Sequence, residues 1–385
     1  MRQSGETLRA GPPAEEAGGL LTIDLDALAG NCGFLQGRVG RAECAAVVKA
    51  DAYGIGLEPA VRALGRAGCR TFFVAHLSEG TRVRTAWPDA TVYVLNGFLP
   101  GTFGAYARSD LRPVLGSREE ISEWAACCRQ AREQRPAALH VDTGMNRLGL
   151  PLAEGFALAG DKSLDAFEPA LLMSHLVSAE APDDPINARQ VSAFADLRSA
   201  YPALPASLAN SSGIFLPDAP KHDLARPGYA LYGGNPTPGR PNPMRPVVRL
   251  EARVIQIREA AEGERAGYNG QWTAGGPRRL AILSIGYADG FPRAASGTDA
   301  KAEAGSPAGE AIVAGRRCPF AGRVSMDLII VDVTELPGDS VRRGDPATLI
   351  GGDLTVDQVG RRAGTIGYEI LTGLGARYAR TYRGL

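Results

Sequence analysis

The chain has few of the residues that build metal centres and disulfide frameworks: 6 cysteines and 4 histidines in 385 residues. Cys32, Cys44, Cys69, Cys127, Cys128 and Cys318 form no CxxC pair, and none has a histidine at zinc-finger spacing. A structural metal or disulfide scaffold is therefore not expected, and most of these thiols should be buried. Net charge is missing too. Lys and Arg total 42 and Asp and Glu total 42, so no long-range field draws the chain to nucleic acid or to an anionic membrane. The natural partner is a small molecule. No apolar run approaches the roughly 18 consecutive residues that a membrane-spanning helix needs. The first 18 residues, MRQSGETLRAGPPAEEAG, are polar and rich in Gly and Pro and lack the apolar core of a secretory signal. They are expected to be a disordered leader on a cytoplasmic protein. No internal repeat is seen.

What is present is a change of texture along the chain. From residue 45, short β-branched or aromatic runs alternate with Ala/Leu/Arg/Glu stretches of helical length, a pattern that points to βαβ units and a parallel sheet. Eight runs can be counted: AAVVKA (45–50), RTFFVA (70–75), TVYVLNG (91–97), LRPVLG (111–116), AALHVD (137–142), ALLMSHL (170–176), ASLAN (206–210) and ARPGYALYG (225–233). Eight is the number of the closed α/β barrel. The segment 233–246, GGNPTPGRPNPMRP, is too rich in Pro and Gly for a helix or a central strand and marks a boundary. Beyond it come long alternating runs such as VVRLEARVIQIRE and MDLIIVDVT, which predict a mostly antiparallel β-domain. The expected organisation is a leader over 1–18, an α/β domain with a TIM-like (β/α)8 barrel over 19–240, and a C-terminal β-domain over 246–385. Residues 294–309 read as a flexible surface loop.

The unusual polar residues fall where barrel strands end, the face on which such folds carry their sites. Lys49 closes the first run, His175 lies near the end of the sixth, Asn210 and Ser211 end the seventh, and Arg226 and Gly228 occupy the eighth. A lysine after AAVV either snorkels to solvent or sits in a site that lowers its pKa, and only a neutral amine forms a Schiff base. On their own, Asn210 and Ser211 fit a turn or a helix cap, Gly228 fits a bend after Pro227, and His175 fits a core histidine.

The segment AVVKADAYGIG resembles the cofactor-lysine motif of alanine racemases, including Tyr53 four positions beyond Lys49. Ten motifs carry the resemblance, in order from about residue 20: LTIDLDALAGN, VKADAYG, VDTGMNRLG, SHLVSAE, ANSSG, ARPGYALYG, AGYNG, IGYADG, GRVSMD and TIGYE. The fold that the resemblance implies is the same barrel followed by a β-domain. It implies pyridoxal 5'-phosphate (PLP) as cofactor, held as a Schiff base on Lys49, and two-base racemisation of alanine with Lys49 and Tyr268 on opposite faces. The D-alanine so formed would serve cell-wall peptidoglycan. The phosphate would be held by Tyr53, Ser211, Tyr368 and the backbone of Gly228 and Tyr229, with Asn210 and His175 also in the cofactor site. Arg226 would face the pyridine nitrogen without protonating it, weakening the electron sink and favouring rapid reprotonation. The substrate carboxylate would meet Arg147 and the backbone at Met326, with Tyr287 closing the entrance. Because the family pairs one subunit's barrel with another's β-domain, a homodimer with shared sites is implied. Asp327 reads as a structural partner.

Two positions depart from the family pattern. His140 stands where many members carry a carbamylated lysine beside the carboxylate-binding arginine, so Arg147 is expected to be oriented by a bound anion or another acidic side chain, with altered substrate affinity or breadth. Ile55 replaces a histidine, a change read as packing. A racemase acting on serine or several amino acids is the main alternative. A non-catalytic PLP-binding homologue would lack the residues after 246, and a PLP decarboxylase does not match the surroundings of GRVSMD.

Overall fold

A computed structural model describes residues 9–217 and 219–384. The chain divides into two compact units, one of residues 28–245 and one made of the segments 1–27 and 246–385.

In the first unit seven parallel strands run side by side in chain order: Ala46–Val47, Thr71–Val74, Thr91–Val94, Arg112–Leu115, Pro136–His140, Glu168–Met173 and Ala206–Ser207. The eighth, Leu224–Ala225, pairs parallel with Glu43–Cys44 at the start of the first. Backbone bonds close the ring on both sides of it, from Val47 N–H to Pro227 O (2.9 Å) and from Arg226 N–H to Ala209 O (2.8 Å). All eight sequence runs thus supply barrel strands. The last is shorter than its run, because Tyr229–Tyr232 turns into a 3-10 helix after Pro227 and Gly228. The strands are continuous apolar runs because helices cover their outer face and side chains fill the inside. Thr71, Phe72, Phe73 and Val74, for example, are all buried. The covering helices begin where side chains accept their unpaired amides: Ser117 Oγ from Glu120 N–H, and Asp184 from Ile186 N–H with Pro185 at the first helical position.

The second unit is a nine-stranded sheet centred on the 13-residue strand Val248–Ala260, which pairs antiparallel with Arg278–Leu283, Pro346–Ile350 and Gly19–Asp24. This departs from the boundary read at residue 19. Gly19–Asp24 alternates buried and half-buried residues, the mark of a half-covered strand, and pairs with Val248–Ala252 and, in parallel, with Ala379–Arg383. The leader also differs from expectation. Its residues 1–8 lie outside the described residues, but Arg9–Ala10 pairs antiparallel with Arg380 and Thr381.

Residues 294–309 are not a plain loop. They hold the short helix Asp299–Glu303, capped by Thr298, and the Lys301 ammonium donates to the carbonyls of Ala294 (2.6 Å) and Arg362 (3.2 Å). All six cysteines are free thiols, and all but Cys127 are buried. Among the described residues, no helix is long and apolar enough to cross a membrane.

Candidate active site

Lys49 leaves the first barrel strand on an uncommon piece of backbone. Ala50, Asp51, Ala52 and Tyr53 all have φ of 52–53°, one turn of left-handed helix built from L-residues with no glycine. Cβ–carbonyl crowding makes this conformation cost about 1–2 kcal/mol per residue, so the turn persists only because its surroundings hold it. It closes with Ala52 N–H on Val48 O and Gly54 N–H on Ala50 O, both 2.9 Å. The Lys49 amine is half-buried. Burial pushes its pKa below the usual lysine range, the Arg147 guanidinium pushes the same way, and the Glu79 carboxylate opposes them.

The turn delivers Tyr53 to the ends of strands seven and eight. Its ring stacks on Tyr232 with centroids 4.5 Å apart, and the Tyr232 hydroxyl donates to Val47 O at 2.9 Å. A Cβ on Gly228 would lie 2.2 Å from the Tyr53 Oη, so only glycine fits this close approach. The Ser211 hydroxyl accepts the N–H groups of Gly228 (3.0 Å) and Ala230 (3.2 Å), bringing the seventh and eighth strand ends together. Tyr229 is buried in the same turn, and Asn210 Oδ1 accepts Gly213 N–H at 2.8 Å. Tyr53, Ser211, Gly228 and Tyr229 are thus brought together at the ends of strands seven and eight.

Arg226 is 97 % buried, and no carboxylate pairs with it among the described residues. It donates instead to the Ser207 hydroxyl and to Ser174 O (2.6 Å), and lies 5.9 Å from the Phe73 ring centre. Burial draws its pKa down to about 10, which leaves it a guanidinium at neutral pH. Two neighbouring imidazoles answer to it. His140, at the end of the fifth strand, is pushed down to about 4 by burial and then by Arg226, and His175 to about 3 by the same causes in the same order. Both are neutral at pH 7.

Their depressed pKa values carry a sign for stability. The unfolded chain, with histidine near 6.5, binds protons that the fold refuses, so stability should fall as pH drops from about 6.5 toward about 4. Each site contributes up to about 1.4 kcal/mol per pH unit in that window. Melting curves should show a steeper acid loss for the wild type than for His140→Asn; parallel curves would refute the assignment.

Arg147 follows the fifth strand in a loop ordered by Asp142, whose carboxylate accepts the N–H groups of Gly144, Met145 and Asn146 at 2.7–2.9 Å. Burial opposes ionisation of Asp142, but these three bonds outweigh it and hold its carboxyl below the usual range. That acid is thus committed to the loop, and Arg147 itself is exposed and makes no ion pair among the described residues. Sequence reasoning missed the side chains that support this face. Gln190, fully buried on helix Pro185–Ser199, donates to His175 O (2.9 Å) and Thr143 Oγ1 (3.2 Å) and accepts Val177 N–H (2.9 Å). A glutamine among the apolar positions of that helix was the available signal.

Tyr268, Tyr287, Met326 and Tyr368 belong to the second unit. Tyr268 tips a hairpin whose strands are Arg265–Ala266 and Trp272–Thr273, and it is 67 % exposed. Tyr287 and Met326 are also exposed and lie on adjacent loops, joined by Tyr287 N–H to Ser325 O (3.0 Å) and Ala288 N–H to Met326 O (2.9 Å). A Cβ on Gly286 would meet the Met326 carbonyl oxygen at 2.3 Å, which explains the glycine of IGYADG. Arg377 bridges Asp289 (3.1 Å) and Asp327 (2.8 Å), so Asp327 takes the structural part expected of it. Tyr368 is half-buried on helix Gly367–Thr372.

A closed parallel barrel carrying a half-buried lysine at its first strand end, followed by a mostly antiparallel unit, is the plan of a two-part α/β-barrel enzyme. The family models for the alanine racemase N-terminal and C-terminal domains match residues 23–236 and 247–382. The chain belongs to the alanine racemase family. It is 64% identical over 365 residues to an alanine racemase of Methylobacterium nodulans, covering 95% of this chain and 96% of that one. Among solved structures it is similar to alanine racemase from Bartonella henselae with covalently bound pyridoxal phosphate, with a TM-score of 0.89, 38% identity and coverage of 95% and 100%. Biosynthetic alanine racemase from Pseudomonas aeruginosa gives a TM-score of 0.87 at 33% identity, covering 96% and 100%.

Proposed function

We propose that this chain interconverts L-alanine and D-alanine, with PLP carried on Lys49 and with Lys49 and Tyr268 as the two acid/base groups. The observation that carries the reading is Lys49 itself: its amine is biased toward the neutral, nucleophilic form by burial and Arg147, on a backbone turn that aims it from a strand end.

The residues around it fit the cofactor. Ser211 and the backbone of Gly228 and Tyr229 would hold the phosphate, with Tyr53 packed against Gly228; the Ser211 hydroxyl, which accepts the Gly228 and Ala230 N–H groups, already gathers donors at that turn. Tyr229, Asn210 and His175 line the same strand ends, and Tyr368 would complete the phosphate contacts. Arg226 would face a ring nitrogen as a donor that keeps its proton. Bound there, PLP supplies the electron sink that acidifies the substrate α-carbon.

The chain's own groups do the rest. Arg147 offers a fork-shaped donor for the substrate carboxylate. Lys49 takes or returns the α-proton on one face. Tyr268, exposed at a hairpin tip, suits the same task on the other face of a site built from two copies of the chain, with Tyr287 and the Met326 backbone at the entrance. A neutral His140 leaves the Arg147 charge unbalanced on that side, which favours an anion, whether bound ion or substrate carboxylate. We read the protein as a cytoplasmic homodimer supplying D-alanine for peptidoglycan.

Incubation of the PLP-loaded protein with L-alanine and L-serine in D2O, followed by optical rotation and deuterium at the α-carbon, tests this. Rapid loss of rotation with alanine supports the reading. Equal turnover of serine would shift it to a broad-specificity racemase, and a yellow protein without exchange would overturn it. A second check is Gly228→Ala, which forces the Tyr53 ring out of place. PLP affinity, measured by titration of the visible absorbance, should fall at least about tenfold, the factor that corresponds to 1.4 kcal/mol.

A further inference from the structure

The backbone that presents Lys49 is held from outside the turn. A helical turn of either hand leaves its first N–H groups without partners in the turn. The N–H of Ala50, next to Lys49, is taken by Glu79 Oε1 at 2.7 Å. The other oxygen of the same carboxylate accepts Ala75 N–H (2.9 Å) and His76 N–H (3.1 Å), just past the second strand, Thr71–Val74. Glu79 sits in the first turn of helix Leu77–Ala86, so one carboxylate ties the lysine's own peptide to the end of the neighbouring strand and to a helix start. A second tie comes from the same helix: Arg82 donates to Asp51 at 2.7 Å, and Asp51 accepts Leu57 N–H at 3.1 Å. That ion pair is largely exposed and so the weaker of the two.

We propose that Glu79 is a positioning residue for the racemase reaction: its two-oxygen bridge from Ala50 N–H to the Ala75–His76 amides locks the left-handed turn and thereby fixes where the Lys49 amine points. This rests on Lys49 being the reacting lysine. Four L-residues in the left-handed region strain the turn by several kcal/mol, and a released turn would relax toward ordinary φ, carrying Lys49 and Tyr53 with it. A carboxylate suits this place. Glutamine keeps one acceptor and turns an NH2 against a backbone donor, whereas alanine keeps neither acceptor. Glu79 also acts on the amine through space, against the charge of Arg147; His175, the other titratable group that senses Lys49, is uncharged at neutral pH.

The experiment uses the PLP-loaded enzyme, wild type and Glu79→Ala, Glu79→Gln and Lys49→Ala. Glu79→Ala should lower kcat about 10- to 100-fold with KM nearly unchanged, because misplacement of about 1 Å costs this much in rate. Its kcat/KM profile should move to lower pH, since the amine loses its nearby anion. Hydrogen exchange in the peptide 49–56 should quicken while the barrel strands stay protected. Glu79→Gln should fall between the two and serves if the alanine variant folds poorly. Wild-type exchange at 49–56, with unchanged kcat and pH profile in either variant, would overturn the proposal. An active Lys49→Ala would instead overturn the reading of the site, so the two failures are distinct.

Discussion

Lys49→Ala should abolish alanine racemisation, lowering kcat/KM by at least about 10³-fold while leaving the fold intact. The magnitude follows from the two roles proposed for one amine. Loss of a positioned acid/base group costs roughly 10²–10⁴-fold, and loss of the covalent attachment point adds to it. The fold should tolerate the change because the left-handed turn is closed by backbone groups of Val48, Ala50, Ala52 and Gly54 and by Glu79, none of which uses the lysine side chain. Circular dichroism and melting temperature should stay near wild type, and the visible band of the lysine-linked cofactor should disappear. A variant that keeps the band and a tenth of the activity would show that Lys49 is not the attachment point.

Tyr268→Phe should separate the two directions of the reaction. With the phenol gone, proton transfer on its face is lost, and racemisation should fall about 10²–10⁴-fold. Lys49 still serves the other face, so deuterium should continue to enter one enantiomer of alanine without inversion. The packing cost is small, as the ring is 67 % exposed at a hairpin tip. Mixing this variant with Lys49→Ala tests whether sites are shared between chains. If they are, each mixed dimer contains one intact site, and statistical mixing should restore about a quarter of wild-type activity. No recovery after verified subunit exchange would place both residues in one chain's own site. Equal loss of exchange on both enantiomers in the tyrosine variant would contradict the two-base scheme.

The barrel was legible in the sequence because buried parallel strands are short apolar runs, and its strand-end residues were legible because polar groups are conspicuous there. Lys49, Ser211 and Arg226 needed only that logic and the resemblance to be singled out. Other features depend on long-range contacts. Read from the sequence, residues 19–24 fall in the barrel domain, because the strands that hold them in the other unit lie more than 200 residues away, at Val248–Ala252 and Ala379–Arg383. Nothing in KADAY marks a whole left-handed turn, since alanine and tyrosine do not favour that region, aspartate visits it as a single residue, and the holding groups, Glu79 and Arg82, come from another helix. Tyr232 stood inside a quoted motif, yet its ring stack on Tyr53 is visible only once strands one and eight meet. Short helices such as Asp299–Glu303 are set by one cap and one lysine, too little for periodicity to show.

The pairing of Gly19–Asp24 has a consequence for how the polypeptide is made. This early strand waits between two late ones, Val248–Ala260 and Ala379–Arg383. While a ribosome extends the chain, residues 28–245 contain every strand of the barrel and can organise as they emerge, but the waiting strand stays open on both edges until its flanks arrive. Contacts this remote in sequence form slowly, and unpaired edges invite association with other nascent chains. Loss of the segment Ala379–Arg383 should therefore affect yield and solubility before it affects the barrel, through a strand synthesised some 350 residues earlier.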